Sequence, residues 1–224
     1  MLSPEEQAGV AQATAKVRQA ALNALEANPG GSFAIHFVAN LQRGVDEVLQ
    51  SAVAQGLKID CKAGCSHCCS VRVEALDPEV FRIAQALRQR PPEAREALVA
   101  RLHKHAATVG GVPVAQHRVS CPFLERDLCS IYEVRPAVCR KVHSFDVEKC
   151  RTPGAEIPQS LDVLLKSEVL VDGTADAYVR RHMQASGHEL GHAVLLALTD
   201  PTAEARWAGG EAVLGAVGKA RRQG

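Results

Sequence analysis

Cys61-Lys62-Ala63-Gly64-Cys65-Ser66-His67-Cys68-Cys69 sets four cysteines within nine residues. Working outward, a second block carries Cys121, Cys129, Cys139 and Cys150, and the 224-residue chain has no cysteine beyond these eight. Thiols this crowded leave two readings, a disulfide framework or a soft-metal site. The chain opens Met1-Leu2-Ser3-Pro4-Glu5-Glu6, with neither the basic nor the apolar region of an export signal. A cytoplasmic location is therefore expected, where disulfides do not persist and clustered cysteines bind metal or act in catalysis. Adjacent Cys68 and Cys69 point the same way, because chain neighbours rarely bridge without strain.

The metal reading has a plain chemical basis. Thiolate sulfur is the preferred ligand of zinc and of iron–sulfur clusters, and each takes four. Eight cysteines suit two full sites, one cluster plus a smaller site, or one site plus free thiols. All eight (Cys61, Cys65, Cys68, Cys69, Cys121, Cys129, Cys139 and Cys150) are candidate ligands of zinc or an iron–sulfur cluster. Arg135, Arg140 and Lys141 flank Cys139, and Lys149 and Arg151 flank Cys150; such cations would offset the charge of a tetrathiolate. Burial as small hydrophobes accounts for one or two cysteines, not eight. His67 and His143 lie in or beside the blocks as reserve ligands.

The two blocks resemble the YkgJ-type cysteine-cluster proteins. The first string is the nine-residue stretch above. The second runs Cys121-Pro122-Phe123-Leu124, Cys129-Ser130-Ile131-Tyr132-Glu133, then Arg135-Pro136 and Cys139-Arg140. The family is described as a zinc- or iron-chelating domain, and related flagellin lysine methylases share part of the cysteine pattern. The resemblance implies metal binding over about Cys61 to Cys150 and supplies no reaction. Cys61 and Cys65 are separated by three residues, where the family pattern is often C-x2-C. Tyr132 and Arg135 are candidates to pack around or hydrogen-bond a thiolate site. The structural alternative puts Tyr132 in the core and pairs Arg135 with a carboxylate such as Glu133 or Glu125.

On either side of the blocks the pattern is helical. Ser3, Pro4 and Glu6 form an N-terminal capping signature, Val10, Val17, Ala21 and Leu25 recur at helical spacing, and Asn28-Pro29-Gly30-Gly31 stops the run. A second helix is expected from about Phe33 to Gln55. Asp77-Pro78-Glu79 opens a third, and Pro91-Pro92-Glu93 breaks it and starts a fourth. Further helices are expected over 160–171, 174–184 and 188–198, with a last one from Asp200-Pro201-Thr202 towards Lys219. The expectation is a mainly α fold with two irregular cysteine-bearing segments. Its parts are an N-terminal helical part (1–56), the cysteine region (57–152) and a C-terminal helical part (153–224), together one compact domain.

Composition narrows the function classes. Hydrophobic residues make up 46% but aromatics only 4%, so a core of Ala, Val and Leu is expected. Lys and Arg total 26 against 25 Asp and Glu, which leaves no general nucleic-acid footprint. No apolar run approaches the ~20 residues needed to span a bilayer. Phosphate loops, G-x-S-x-G elbows and dinucleotide fingerprints are missing. The expected partner is a metal ion or cluster.

One further motif needs weighing. His188-Glu189-Leu190-Gly191-His192 matches H-E-x-x-H, in which two histidines on one helix bind zinc and the glutamate acts as base. No third histidine follows at the metzincin spacing, and Pro201 and Gly209-Gly210 interrupt the path to Glu211, which could otherwise serve. The expectation is a helix whose histidine face edges the core, with His36, His103, His105 and His117 at the surface or core edge. Three functions remain: a cysteine-ligated metal protein with a redox or transfer role, a zinc-stapled structural module, and a zinc peptidase.

Overall fold

The computed structural model describes residues 2–152 and 154–215, and their fold is mainly α. Helix α1 (Pro4–Ala27) begins at the expected capping box: Ser3 Oγ accepts from Glu6 N at 3.2 Å, and the Glu6 carboxylate accepts from Ser3 N at 2.7 Å. Helix α2 (Gly31–Ala54) buries Ile35, Val38, Leu41 and Val45 along one face, the spacing of an amphipathic helix. Helices α3 (Asp77–Arg88) and α4 (Pro92–Val109) both start at proline, as the sequence predicts. The C-terminal part supplies α7 (Leu161–Arg180), α8 (Leu190–Thr199) and α9 (Ala203–Ala208). Between these lie the cysteine segments, which carry the short helices α5 (Ala137–Lys141) and α6 (Val147–Arg151).

Helix α7 lies along α1, while α8 packs on α3 and α4. The N- and C-terminal helices thus share one core. The few aromatics are concentrated there: Phe81 and Tyr178 both face Trp207, with ring centroids at 5.2 and 6.2 Å. The polar tips are satisfied, since Tyr178 OH donates to Ala34 O at 2.6 Å and Trp207 Nε1 to Gln184 O at 2.8 Å. Two small antiparallel sheets complete the fold. Strand β1 (Glu74–Leu76) pairs with β4 (Gly187–Glu189), and β2 (Leu124–Glu125) pairs with β3 (Leu128–Cys129).

Three expectations need correction. The two helices expected over 160–184 are one, because Gly173 does not break α7. Its missing side chain lets α1 approach: a Cβ there would lie 2.8 Å from Thr14 O and from Val17 Cβ. The helix expected over 188–198 begins two residues later, because Gly187–Glu189 is recruited into strand β4 by pairing with β1. The last helix ends at Ala208, where Gly209 and Gly210 follow, with Gly210 at φ +94°. Residues 211–215 are not helical, and Lys219 lies outside the described residues.

Candidate metal centre

The second cysteine block is built as a hairpin followed by a short helix. Pro122 and Phe123 are buried, anchoring the chain just after Cys121. The β2–β3 hairpin sets Cys129 opposite Leu124. Its tip, Arg126-Asp127, takes positive φ at both residues, 50° and 61°, the conformation of a tight two-residue loop. Ser130 N closes the hairpin onto Phe123 O at 2.8 Å.

Cys139 sits on α5, and α2 and α3 hold that helix. The Glu79 carboxylate accepts from Ala137 N at 2.7 Å, from Leu76 N at 3.1 Å and from Gln42 Nε2 at 3.3 Å. Burial pushes the Glu79 carboxyl upward, against the pull of these bonds. Arg140 pairs with Asp46 and donates to the carbonyls of Arg135 and Glu133, each at 2.8 Å. Arg135 lies 3.7 Å from Asp46 and stacks over the Tyr132 ring at 3.8 Å. Of the structural alternative, the Tyr132 half is overturned, since Tyr132 is 56% exposed, while Arg135 does pair with a carboxylate, that of Asp46.

The first block meets the second directly. Cys121 N donates to Cys69 O at 2.7 Å, and Ser66 Oγ donates to Asp127 at the hairpin tip at 3.0 Å. Upstream, Gly64 turns the chain at φ +82°, where Cys65 N donates to Lys62 O at 3.0 Å. Asp60 N donates to Ser144 O at 2.9 Å, and Val147 N to Asp60 Oδ2 at 3.0 Å, bringing Cys61 to the segment of Cys150.

All eight cysteines are free thiols. Charge on Cys121, Cys139 and Cys129 acts on Cys69, while charge on Cys65, Cys68 and Cys150 acts on Cys61. Cys68 lies between the groups. Its hydrogen bond to Cys69 drives its own pKa far up, and the same bond lowers that of Cys69. Burial raises Cys121 to about 11 and pushes Cys139 further still. Arg135 favours the thiolates of Cys68 and Cys129, and Arg140 also acts on Cys129, opposing burial. This donor set suits a soft cation, which binds thiolate sulfur directly and so reverses the preference burial gives the neutral thiol. Among the described residues, no three His, Cys, Asp or Glu side chains already surround one point as an ion would require.

The reserve histidines serve other ends. His143 is buried, with Nδ1 2.9 Å from Lys141 O and Nε2 accepting from Ser160 N at 2.8 Å. Both its nitrogens are engaged. His67 Nε2 accepts from Arg151 Nε at 3.4 Å.

The H-E-x-x-H residues do not share a helix. His188 is on β4, 3.0 Å from the buried Asp77 carboxylate, and His192 is on α8. Glu189 caps α8, accepting from Gly191 N at 3.1 Å and His192 N at 2.7 Å. It also meets His105 Nε2 at 3.0 Å. His105 and His117, expected at the surface or core edge, are only 6% and 2% exposed. They line a small cavity with Cys121, Pro122 and Glu189. Only spatial folding puts them there.

Residues 60–156 match the CxxCxxCC family model, described as a "Putative zinc- or iron-chelating domain". That segment is similar to the CxxCxxCC family. It spans both cysteine blocks and the helices α3 and α4 between them, so metal chelation is the property the comparison supports. No curated protein and no solved structure matches the chain. Among the described residues, no helix is long and apolar enough to cross a membrane.

Proposed function

We propose that this protein holds zinc or an iron–sulfur cluster through thiolates drawn from both cysteine blocks, in a redox or metal-transfer role. The observation that carries the reading is the backbone bond from Cys121 N to Cys69 O at 2.7 Å, which brings the two blocks together. Neither block alone offers two sets of four donors, whereas pooling them does. Arg135 and Arg140 would offset part of the thiolate charge, and Glu79 and Asp46 would hold α5 and Cys139 in place. A bound zinc would supply a fixed cross-link, and an iron–sulfur cluster a one-electron carrier. Eight free thiols also suit a reducing, cytoplasmic setting.

A zinc-stapled structural module is the second reading, favoured by Cys121 and Cys129 packing against the main hydrophobic core. Metal analysis of anaerobically purified protein tests both. A brown protein containing iron and acid-labile sulfide supports the cluster, and a colourless one containing zinc supports the zinc site. Metal content unaffected by replacing Cys139 or Cys69 with serine would overturn the reading.

A further inference from the structure

The eight thiols differ in what holds them. Cys121 and Cys129 pack against the main core, and their neighbours Phe123 and Ile131 are buried. Cys139 follows Ala137, which is buried and pinned by Glu79. Cys69 is tied to Cys121 through the backbone.

The other group has no such support. Among the described residues, neither segment 57–70, in which Cys69 alone is tied to the hairpin through the Cys121 backbone bond, nor segment 145–162 contains a buried residue. Cys61 and Cys68 are exposed. Cys61 lies outside any regular element, and Cys150 is on the five-residue α6. What joins these segments is a few hydrogen bonds: Asp60 N to the carbonyl of the buried Ser144, Val147 N to Asp60, and Arg151 to His67. Segments with few buried apolar contacts open at low free-energy cost.

Building on the thiolate-metal reading, we propose that Cys61, Cys65, Cys68 and Cys150 form an exchangeable surface site for a soft or borderline divalent cation, with zinc as the probe. Cys69, Cys121, Cys129 and Cys139 form a retained inner site. Cys68 touches both groups and belongs to the outer one, since it is exposed and the inner group has four donors without it. Exchange proceeds without change of oxidation state. An incoming thiolate or other chelating anion bonds to the cation as one protein sulfur leaves, and the freed sulfur takes a proton from water. The exposed Cys61 and Cys68 allow this stepwise replacement to begin, whereas cysteines on segments anchored by the buried Phe123, Ile131 and Ala137 do not.

The test uses the full-length chain, purified anaerobically and loaded with zinc, then challenged with a chromogenic chelator. Two zinc ions per chain are expected, one released at least tenfold faster than the other. Replacing Cys61 and Cys150 together by serine should abolish the fast phase and leave the slow phase and the circular dichroism spectrum unchanged. Alkylation of the loaded wild-type chain, followed by mass spectrometry, should modify Cys61, Cys65, Cys68 and Cys150 at least tenfold faster than the other four. One release rate for both ions, a single zinc insensitive to the double substitution, or uniform alkylation would overturn the exchange proposal and leave thiolate metal binding standing. A chain that takes up neither zinc nor iron would remove the underlying reading as well.

Discussion

Cys121 and Cys69 are joined by a backbone hydrogen bond of 2.7 Å, so the two cysteine blocks meet through the main chain as well as through their thiols. The bond sets a floor under the candidate centre: it positions Cys69 beside the hairpin whatever the protonation of the sulfurs.

If these thiols carry the metal, Cys139→Ser and chelation should act alike. A serine oxygen is a harder, poorer ligand for zinc or cluster iron. Structural zinc contributes folding free energy on the order of 10 kcal/mol in small domains. Bound metal and the thermal midpoint should therefore fall together, as read by elemental analysis and calorimetry. Metal loss without any shift in the midpoint would disconnect the centre from the fold.

Glu79 should matter to the centre although it carries no candidate ligand. Glu79→Ala strands the backbone N–H groups of Leu76 and Ala137, and a buried unsatisfied donor costs about 1–3 kcal/mol. The expected result is a loss of at least about 2 kcal/mol in urea unfolding, with weaker metal retention. Glu79→Gln, which keeps one acceptor oxygen, should recover part of both.

The H-E-x-x-H residues should be dispensable for metal. His192→Ala is expected to leave metal stoichiometry unchanged. Glu189→Ala should cost about 0.5–2 kcal/mol through the lost α8 cap, with a further loss from the unpartnered His105, and no change in metal content. Metal that disappears with the histidines and persists in Cys139→Ser would reverse the ranking.

His188 gives the fold a pH dependence. Burial disfavours its imidazolium, but Asp77 at 3.0 Å, with the Gly215 carbonyl and Glu74, outweighs burial and raises its pKa above the ordinary histidine value. A raised folded-state value means the contribution is complete below about pH 6.5, the unfolded histidine pKa. It is lost as pH rises through the folded value. Urea unfolding between pH 6 and 9 should show this decline in the wild type, and His188→Gln should flatten it.

Gly173→Val should separate α1 from α7. Its side chain would begin 2.8 Å from Thr14 O and Val17 Cβ, an overpacking that costs about 1–3 kcal/mol or more. Wild-type stability in this variant would show that the helix pair has room to spare.

What the sequence determined by itself is local or compositional. The Ser3–Glu6 capping box and the proline starts of α3 and α4 are legible because a cap joins residues within one turn. Cysteine number and spacing narrowed the chemistry to a disulfide framework or a soft-metal site, and the adjacent Cys68 and Cys69 favoured the metal. Tertiary structure alone decided the rest. Gly173 reads as a helix breaker until α1 lies against it. Gly187–Glu189 has a helical pattern until β1 offers a partner strand. Glu79 looks like an ordinary first-turn acid, and its bond to Ala137 N appears only when α3 and α5 are adjacent. The two thiol groups likewise differ through burial, which depends on where the chain's hydrophobic contacts close and not on the spacing of its cysteines.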